Sequence, residues 1–261
     1  MSSKAFLFDL NGVFYEDNKV LDGSIEIINL LREKKIPFRF ISNNTTLSRR
    51  FFTKKLNEIG LKISNEEIFT ANYAGYLIAK KLKLKNCRLI LNKEGQEDYE
   101  PLMDNKRKID GIVIGDIGDK WNYELMNQLM KNILDGARII ALHKGKYFQS
   151  KGELQIDCGA FVKGLEFVTG KKAIVVGKPS ESFFKLAISG WNFKDISIVG
   201  DDIYNDIRGG KKMGFSTYLV KTGKFREDIF RRSKISPDHC IESIQKLKEF
   251  ISVSYTHLTL P

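Results

Sequence analysis

Residues 5–12, AFLFDLNG, decide the fold of this chain. Ala5–Leu10 form a short, almost wholly apolar run, and Asn11-Gly12 follows at once. A run of this length that is bounded by a turn dipeptide predicts a buried β-strand ending in a tight turn. Asp9 is the single charge in the run. The pattern therefore predicts a carboxylate near the end of a buried strand.

The segments on either side of a long middle stretch alternate between strand and helix patterns. Ser24–Lys35 has apolar residues at helical spacing, Pro37 ends the pattern, and Phe38–Ser42 predicts the next strand. After residue 172 the alternation returns, with strands expected over Ala173–Val176, Ile196–Gly200 and Thr217–Val220. Such alternation is typical of an α/β fold, and we predict a doubly wound, parallel, Rossmann-like core.

The middle of the chain has a strand and helix pattern of its own. It predicts strands over Arg88–Asn92, Ile109–Gly115 and Arg138–Leu142, and helices over Asn122–Asp135 and Gly159–Thr169. We therefore predict a core domain of residues 1–81 and 173–251, interrupted by an α/β domain at 82–172. A helix over Ile241–Ile251 is expected to end the core, and the uncharged segment 252–261 to be a non-native or disordered tail.

Composition limits the partners without naming one. The chain has 43 Lys and Arg against 32 Asp and Glu, a net charge of +11, which admits nucleic acid, anionic lipid or a phosphate-bearing substrate. The densest basic stretch, Lys221–Lys234, contains Glu227 and Asp228 and no nucleic-acid-binding motif, so nucleic acid is an unlikely partner. Three widely spaced cysteines favour a reducing, cytoplasmic compartment. Apolar runs are too short for a membrane span, and the N-terminus lacks a signal-peptide pattern.

Several chemically active side chains follow predicted strands. Asp9 and Asp201 are such residues, and ligands of open parallel sheets bind outside the carboxyl ends of the strands. Two carboxylates there can share Mg²⁺. Ser42 adds a hydroxyl after its strand, and Lys178 adds an ammonium group. Together these groups provide what phosphoryl transfer needs, which is positioning and positive charge.

Four stretches carry a resemblance to a known family. They are FLFDLNGVF (6–14), FISNN (40–44), VVGKPS (175–180) and GDDIYND (200–206). In this order they resemble the four motifs of the haloacid dehalogenase superfamily of phosphatases. The insertion between the second and third motifs is similar to the cap, of type C2, in the NagD-like, type IIA branch. The resemblance extends from Ala5 to about Ile251.

The resemblance implies a role for each motif residue. Asp9 would be the nucleophile that forms an aspartyl-phosphate. Ser42 and the amide of Asn43 would hold the transferring phosphoryl group, and Lys178 would neutralise charge beside it. Mg²⁺ would be bound by Asp9, Asp201, Asp206 and the backbone carbonyl of Asn11. Asp206 would bind it through water or orient its ligands, and Asp202 could do the same. Either could instead be an ordinary carboxylate at a helix N-terminus.

The sequence departs from the family pattern at Asn11. Most phosphatases of the superfamily have an aspartate there that protonates the leaving group, and an amide cannot do so. Its loss would slow the release of an alkoxide by roughly 10²–10⁴-fold, whereas phosphate or imidazole leaves more easily. We expect a slow Mg²⁺-dependent hydrolase of a small phosphate ester, pyrophosphate or phosphoramidate. The alternative is a catalytically inactive pseudoenzyme that binds phosphate ligands.

Cap residues select the substrate in the branch that the chain resembles. The candidates are His143, Lys146, Tyr147 and Asp157. We expect one or two of them to reach the substrate, although a residue of this kind taken singly more often belongs to an exposed loop. Cap-mediated homodimers occur in this branch, so a homodimer is possible. Cys158 has no histidine near it in the sequence, which favours a small buried residue over a thiol nucleophile.

Overall fold

A computed structural model describes residues 4–150 and 153–256. Within these residues the strands are β1 (Lys4–Asp9), β2 (Tyr15–Glu16), β3 (Lys19–Val20), β4 (Phe38–Ser42), β5 (Ile68–Thr70), β6 (Cys87–Ile90), β7 (Gly111–Ile114), β8 (Arg138–Ala141), β9 (Tyr147–Ser150), β10 (Glu153–Ile156), β11 (Ile174–Val175), β12 (Asp195–Gly200), β13 (Ser216–Val220) and β14 (His239–Ile241). The α-helices are α1 (Ser24–Glu33), α2 (Arg49–Glu58), α3 (Ala71–Lys81), α4 (Tyr123–Leu134), α5 (Cys158–Thr169), α6 (Glu181–Ala187), α7 (Arg208–Lys212), α8 (Glu227–Ser233) and α9 (Leu247–Thr256).

The chain divides into two compact units. The first contains the residues up to Ser42, Thr53–Ile68 and the residues from Phe184 onward, and the second contains Asn43–Phe52 and Phe69–Phe183. The domain boundaries predicted from the sequence, at 81/82 and 172/173, both fall inside the second unit. The division into core and cap at those positions therefore stays a prediction.

The main sheet has the strand order β14-β13-β12-β1-β4-β5. The pairs of β1 with β12 and with β4 are parallel, as are the pairs β12–β13 and β13–β14. From β1 the chain builds outward to β4 and β5, and later outward on the other side through β12 to β14. This is a doubly wound sheet whose order reverses between β1 and β12, which confirms the predicted fold class.

Burial of β1 on both faces explains its continuous apolar run. Ala5, Phe6, Leu7 and Phe8 are each wholly buried. Phe14 lies edge-on to Phe8, with ring centroids 5.2 Å apart. The centre of the sheet is thus packed tightly on both sides, and its strand ends are held in fixed positions.

The second unit has its own parallel sheet, in the order β11-β8-β7-β6. Buried residues of this sheet pack against α4 and α5, where Leu129, Ile133, Val162 and Leu165 are wholly buried. The antiparallel hairpin β9–β10 lies between β8 and α5 in the chain and was not expected from the sequence.

The predicted helix Ile241–Ile251 is wrong at its start. Ile241 is the last residue of β14 and pairs in parallel with Val220, so a tertiary partner overrides the local pattern. The α-helix begins at Leu247 and runs to Thr256, into the segment predicted as a tail. The rest of that predicted tail, 257–261, lies outside the described residues. Among the helices of the described chain, none is long and apolar enough to cross a membrane.

Candidate active site

Asp9 and Asp201 lie at the ends of neighbouring strands. Asp9 is the last residue of β1, and Asp201 directly follows β12. The two strands are parallel, with Phe8 opposite Val199, so both aspartates reach the same edge of the sheet. They are 7% and 2% exposed. This edge is where the strand order reverses, which is the usual ligand crevice of a doubly wound sheet.

Asp206 joins these two carboxylates from a π-helical turn, Ile203–Ile207, that follows β12. It is wholly buried. Ligand atoms of Asp9, Asp201 and Asp206 all lie within 4.8 Å of one another. Carboxylates gathered this closely and shielded from water repel one another unless a cation lies among them. Their hard oxygen donors fit Mg²⁺, so the residues present suit the metal that the family resemblance implies.

Two glycines leave room for the Asp201 carboxylate. The backbone N–H of Lys224 donates a 2.7 Å hydrogen bond to Oδ2 of Asp201. Gly12 and Gly223 have φ angles of +82° and +59°, and a Cβ on either would overlap the Asp201 carboxylate. A side chain at either position would displace the carboxylate, so both residues have to be glycine.

Asp202 has a different task from Asp206. Its Oδ1 accepts hydrogen bonds of 2.9 Å from the N–H groups of Tyr204 and Asn205, which caps the π-helical turn. Burial opposes its ionisation, but the Lys224 charge and the hydrogen bonds from Asn205 and Tyr204 hold the pKa of Asp202 below its ordinary value. The capping interpretation thus describes Asp202, whereas Asp206 lies in the carboxylate cluster.

The residues around Asp9 hold its loop in place. The N–H of Leu10 donates a 2.8 Å hydrogen bond to Oδ1 of Asp9. The side chain of Asn11 is exposed. Burial and the charge of Asp9 raise the pKa of Tyr15 to about 12, so its phenol stays protonated. Ser42 ends β4, the strand beside β1, and thus lies at the same sheet edge.

In the second unit, Asn43 and Lys178 are held together by two hydrogen bonds. The backbone N–H of Lys178 donates to Oδ1 of Asn43 at 2.7 Å. The Nδ2 of Asn43 donates to the carbonyl of Lys178 at 3.0 Å. Lys178 is only 5% exposed. Two residues that are 135 positions apart in the sequence are therefore fixed relative to each other.

Of the four predicted cap residues, the structure brings two together. Nε2 of His143 lies 3.3 Å from Oδ1 of Asp157. Lys146 and Tyr147 lie at the start of the β9–β10 hairpin with exposed side chains. Cys158 is buried, as expected, but its Sγ lies 3.5 Å from Nε2 of His143. The sequence did not indicate that His143 and Cys158 are neighbours, because they are 15 residues apart and the β9–β10 hairpin between them brings them together.

Two family models match the chain, and both describe haloacid dehalogenase-like hydrolases. The first model, haloacid dehalogenase-like hydrolase, matches residues 6–101. The second, described as haloacid dehalogenase hydrolase-like, matches residues 175–247. These ranges contain Asp9, Ser42, Lys178, Asp201 and Asp206.

Similar proteins cover nearly the whole chain. Haloacid dehalogenase-like hydrolase domain-containing protein 2 of Bos taurus is 32% identical over 85% of this chain and 86% of its own. Phospholysine phosphohistidine inorganic pyrophosphate phosphatase of Xenopus laevis is 29% identical over 96% and 95%. The p-nitrophenyl phosphatase structure from Archaeoglobus fulgidus has a TM-score of 0.85 at 28% identity, covering 94% and 98%. NagD of Escherichia coli K-12 shares the fold, with a TM-score of 0.83 at 22% identity, covering 94% and 98%.

Proposed function

The chain belongs to the haloacid dehalogenase-like hydrolases, and from this premise we propose that it is a Mg²⁺-dependent phosphatase of their NagD-like branch, acting through an aspartyl-phosphate on Asp9. The observation that carries the proposal is the approach of Asp9, Asp201 and Asp206 to within 4.8 Å of one another. A carboxylate nucleophile and a carboxylate metal site at one sheet edge provide the parts that phosphoryl transfer requires.

The reaction has two steps. A carboxylate oxygen of Asp9 attacks phosphorus, and the bond from phosphorus to the leaving group breaks with its electron pair on the leaving atom. Water then attacks the aspartyl-phosphate, which releases phosphate and restores Asp9. Asp201, Asp206 and the backbone carbonyl of Asn11 would hold Mg²⁺ together with Asp9. The bound ion supplies positive charge for the phosphoryl oxygens.

Ser42, Asn43 and Lys178 bind the transferring group. The hydroxyl of Ser42, the backbone N–H of Asn43 and the ammonium group of Lys178 are donors, which suit the negative oxygens of a phosphoryl group. The two hydrogen bonds between Asn43 and Lys178 support this assignment, because they fix the backbone of Lys178 relative to Asn43. Preorganised donors of this kind need no rearrangement during the reaction.

The substrate class follows from Asn11. Because an amide cannot protonate a leaving group, the enzyme should prefer leaving groups that depart without help. Pyrophosphate, phosphoramidates and aryl phosphates have such groups, and sugar phosphates do not. Two relatives support this preference, since one is named as a phospholysine, phosphohistidine and pyrophosphate phosphatase and the other as a p-nitrophenyl phosphatase.

The segment 82–172 is proposed as the cap that selects the substrate. His143 and Asp157 are the stronger candidates for recognition, because they are held in contact, with 3.3 Å between Nε2 and Oδ1. Lys146 and Tyr147 remain candidates on the exposed hairpin. A homodimer through the cap and a cytoplasmic location also stay predictions. Light scattering of the purified protein tests the first, and localisation of a tagged chain tests the second.

Steady-state hydrolysis with matched variants tests the proposal. The wild-type protein should hydrolyse p-nitrophenyl phosphate and pyrophosphate with Mg²⁺, and activity should vanish with a chelator. Asp9→Asn should reduce the rate to background, whereas the exposed Asp22→Asn makes the same change outside the site and should retain activity. Phosphate binding without turnover in the wild-type protein would instead identify the pseudoenzyme.

A further inference from the structure

A histidine, an aspartate and a cysteine of the second unit surround one point. His143 follows β8, while Asp157 and Cys158 are the N-cap and first residue of α5. One ligand atom from each residue lies within 4.8 Å of the other two. This group shares no residue with the carboxylate cluster and contains nitrogen and sulfur donors. His143 and Asp157 are candidates for substrate recognition, but none of the three residues takes part in a step of the phosphoryl transfer described above.

The distances match those of a tetrahedral metal site. Nε2 of His143 lies 3.3 Å from Oδ1 of Asp157 and 3.5 Å from Sγ of Cys158. For Zn²⁺ with bonds of about 2.05 Å to nitrogen, 2.1 Å to oxygen and 2.3 Å to sulfur, tetrahedral angles put nitrogen about 3.4 Å from oxygen and about 3.6 Å from sulfur. Both distances from Nε2 therefore have the spacing of a coordinated set, and the oxygen and sulfur lie within 4.8 Å of each other.

The arrangement does not suit a thiol nucleophile. In a nucleophile–histidine–carboxylate relay, the imidazole contacts the nucleophile with one nitrogen and the carboxylate with the other. Here Nε2 of His143 faces both Asp157 and Cys158, while Nδ1 accepts a 3.3 Å hydrogen bond from the N–H of Gly145. Convergence of both partners on one nitrogen favours a shared central ion.

The backbone around the group is closely packed. The N–H of Cys158 donates a 2.6 Å hydrogen bond to Oδ1 of Asp157. A Cβ on Gly145 would overlap Oδ2 of Asp157, and a Cβ on Gly159 would overlap the carbonyl of Gly145. Asp157 and Cys158 are buried, and the His143 side chain is 19% exposed, which leaves one side open to solvent. The ligands are thus preorganised and still reachable by an ion.

We propose that His143, Asp157 and Cys158 form a second metal site, which binds a divalent transition-metal ion, with Zn²⁺ as the best match. Imidazole and thiolate are ligands of Zn²⁺, whereas Mg²⁺ prefers oxygen alone. On binding, the thiol proton of Cys158 passes to solvent and the imidazole proton moves to Nδ1. The N–H of Gly145, 3.3 Å from Nδ1, then faces a second donor, so this backbone amide has to turn away from the imidazole when the ion binds. Water completes the fourth position.

Cobalt spectroscopy of the intact protein tests the proposal. With Mg²⁺ in excess to occupy the carboxylate site, Co²⁺ should give a thiolate-to-metal charge-transfer band that saturates at one ion per chain. Zn²⁺ should abolish the band by displacement. Absence of the band from the wild-type protein would overturn the proposal, and this measurement requires no variant.

Two kinds of variant assign the band to its ligands. Cys158→Val keeps a small apolar side chain in the buried position and should eliminate the band. His143→Gln should weaken Zn²⁺ affinity by at least about tenfold, since even an outer-shell change costs 10–100-fold. Cys240→Ser removes the exposed cysteine and should change neither. A band that survives in Cys158→Val, or that disappears in Cys240→Ser, would place the metal elsewhere and reject the site.

Discussion

The side-chain amide of Asn43 holds both backbone polar groups of Lys178, accepting from its N–H at 2.7 Å and donating to its carbonyl at 3.0 Å. The first bond needs an acceptor, which is Oδ1, and the second needs a donor, which is Nδ2. The pair therefore depends on asparagine in particular, and not only on a polar residue of that size. It joins two of the motifs that the sequence singled out.

Replacing Asn43 by aspartate should keep the first of these two hydrogen bonds and remove the second. The carboxylate can still accept from the Lys178 N–H, but its second oxygen would face the Lys178 carbonyl, and two acceptors repel. We expect kcat to fall about tenfold or more and the unfolding free energy to drop by about 1–3 kcal/mol. Asn44→Asp adds the same charge one residue away and retains an acceptor for the N–H of Leu47. Equal kcat values for the two variants would contradict the role of the Asn43–Lys178 pair.

Restoring an acid at position 11 should change the substrate preference. Asn11→Asp is expected to raise the rate on a sugar phosphate by about 10²-fold or more, because its alkoxide needs a proton. Rates on pyrophosphate and p-nitrophenyl phosphate should change much less. Asn11→Ser, which is also neutral, serves as the control. The position is exposed, so neither variant should disturb folding. If Asn11→Asp gained nothing on sugar phosphates, the leaving-group argument would fail.

A methyl group at Gly12 should damage the metal site itself. Its Cβ would overlap the Asp201 carboxylate and lie 2.9 Å from the Cα of Gly223. Gly60 also has a positive φ, +105°, but a Cβ there meets nothing within 4 Å. Both alanine variants should lose about 1–3 kcal/mol through backbone strain. Only Gly12→Ala should weaken Mg²⁺ binding, by about tenfold or more, and calorimetry that found equal Mg²⁺ affinities would reject the explanation.

The buried Glu166 should make the stability depend on pH. Burial opposes its ionisation, but hydrogen bonds from Lys144 and the N–H of Ala173 and the charges of Lys144 and Lys163 outweigh this and lower the pKa of Glu166 from 4.5 to about 2. Since the folded pKa is the lower one, the stabilisation is present above about pH 4.5 and is lost as the pH falls towards 2.

Glu166→Gln should therefore reduce the unfolding free energy at pH 7 by about 2 kcal/mol, and the difference from the wild-type protein should shrink at pH 3. Glu227→Gln removes an exposed pair with Arg231 and should change stability by less than about 0.5 kcal/mol. Denaturant unfolding at both pH values measures this. A Glu166→Gln effect that stayed constant between pH 7 and pH 3 would contradict the assigned cause.

Strand ends at the core were predictable, because buried parallel strands have continuous apolar runs that are easy to recognise. The sequence alone therefore predicts that Asp9 and Asp201 lie at one sheet edge. The motif order also led to the correct family. The short strand His239–Ile241 was missed, since its pairing with Tyr218–Val220 is a tertiary effect that three residues do not reveal.

Contacts between residues far apart in the chain could not be predicted from the sequence. His143 and Cys158 are 15 residues apart, and only the β9–β10 hairpin between them shows that they meet. The hydrogen bonds from Asn43 to Lys178 span 135 residues. Residue type suggested that each could act chemically, but the pairing depends on how the second unit folds.

Trapping a covalent intermediate shows directly whether Asp9 is the nucleophile. The protein is mixed with p-nitrophenyl phosphate and Mg²⁺, quenched in acid within the first turnover, digested and analysed by peptide mass spectrometry. We expect one added phosphoryl group on the peptide that contains Asp9, and none on the same peptide of Asp9→Asn. Turnover with no phosphorylated Asp9, or with the phosphoryl group on another residue, would contradict it.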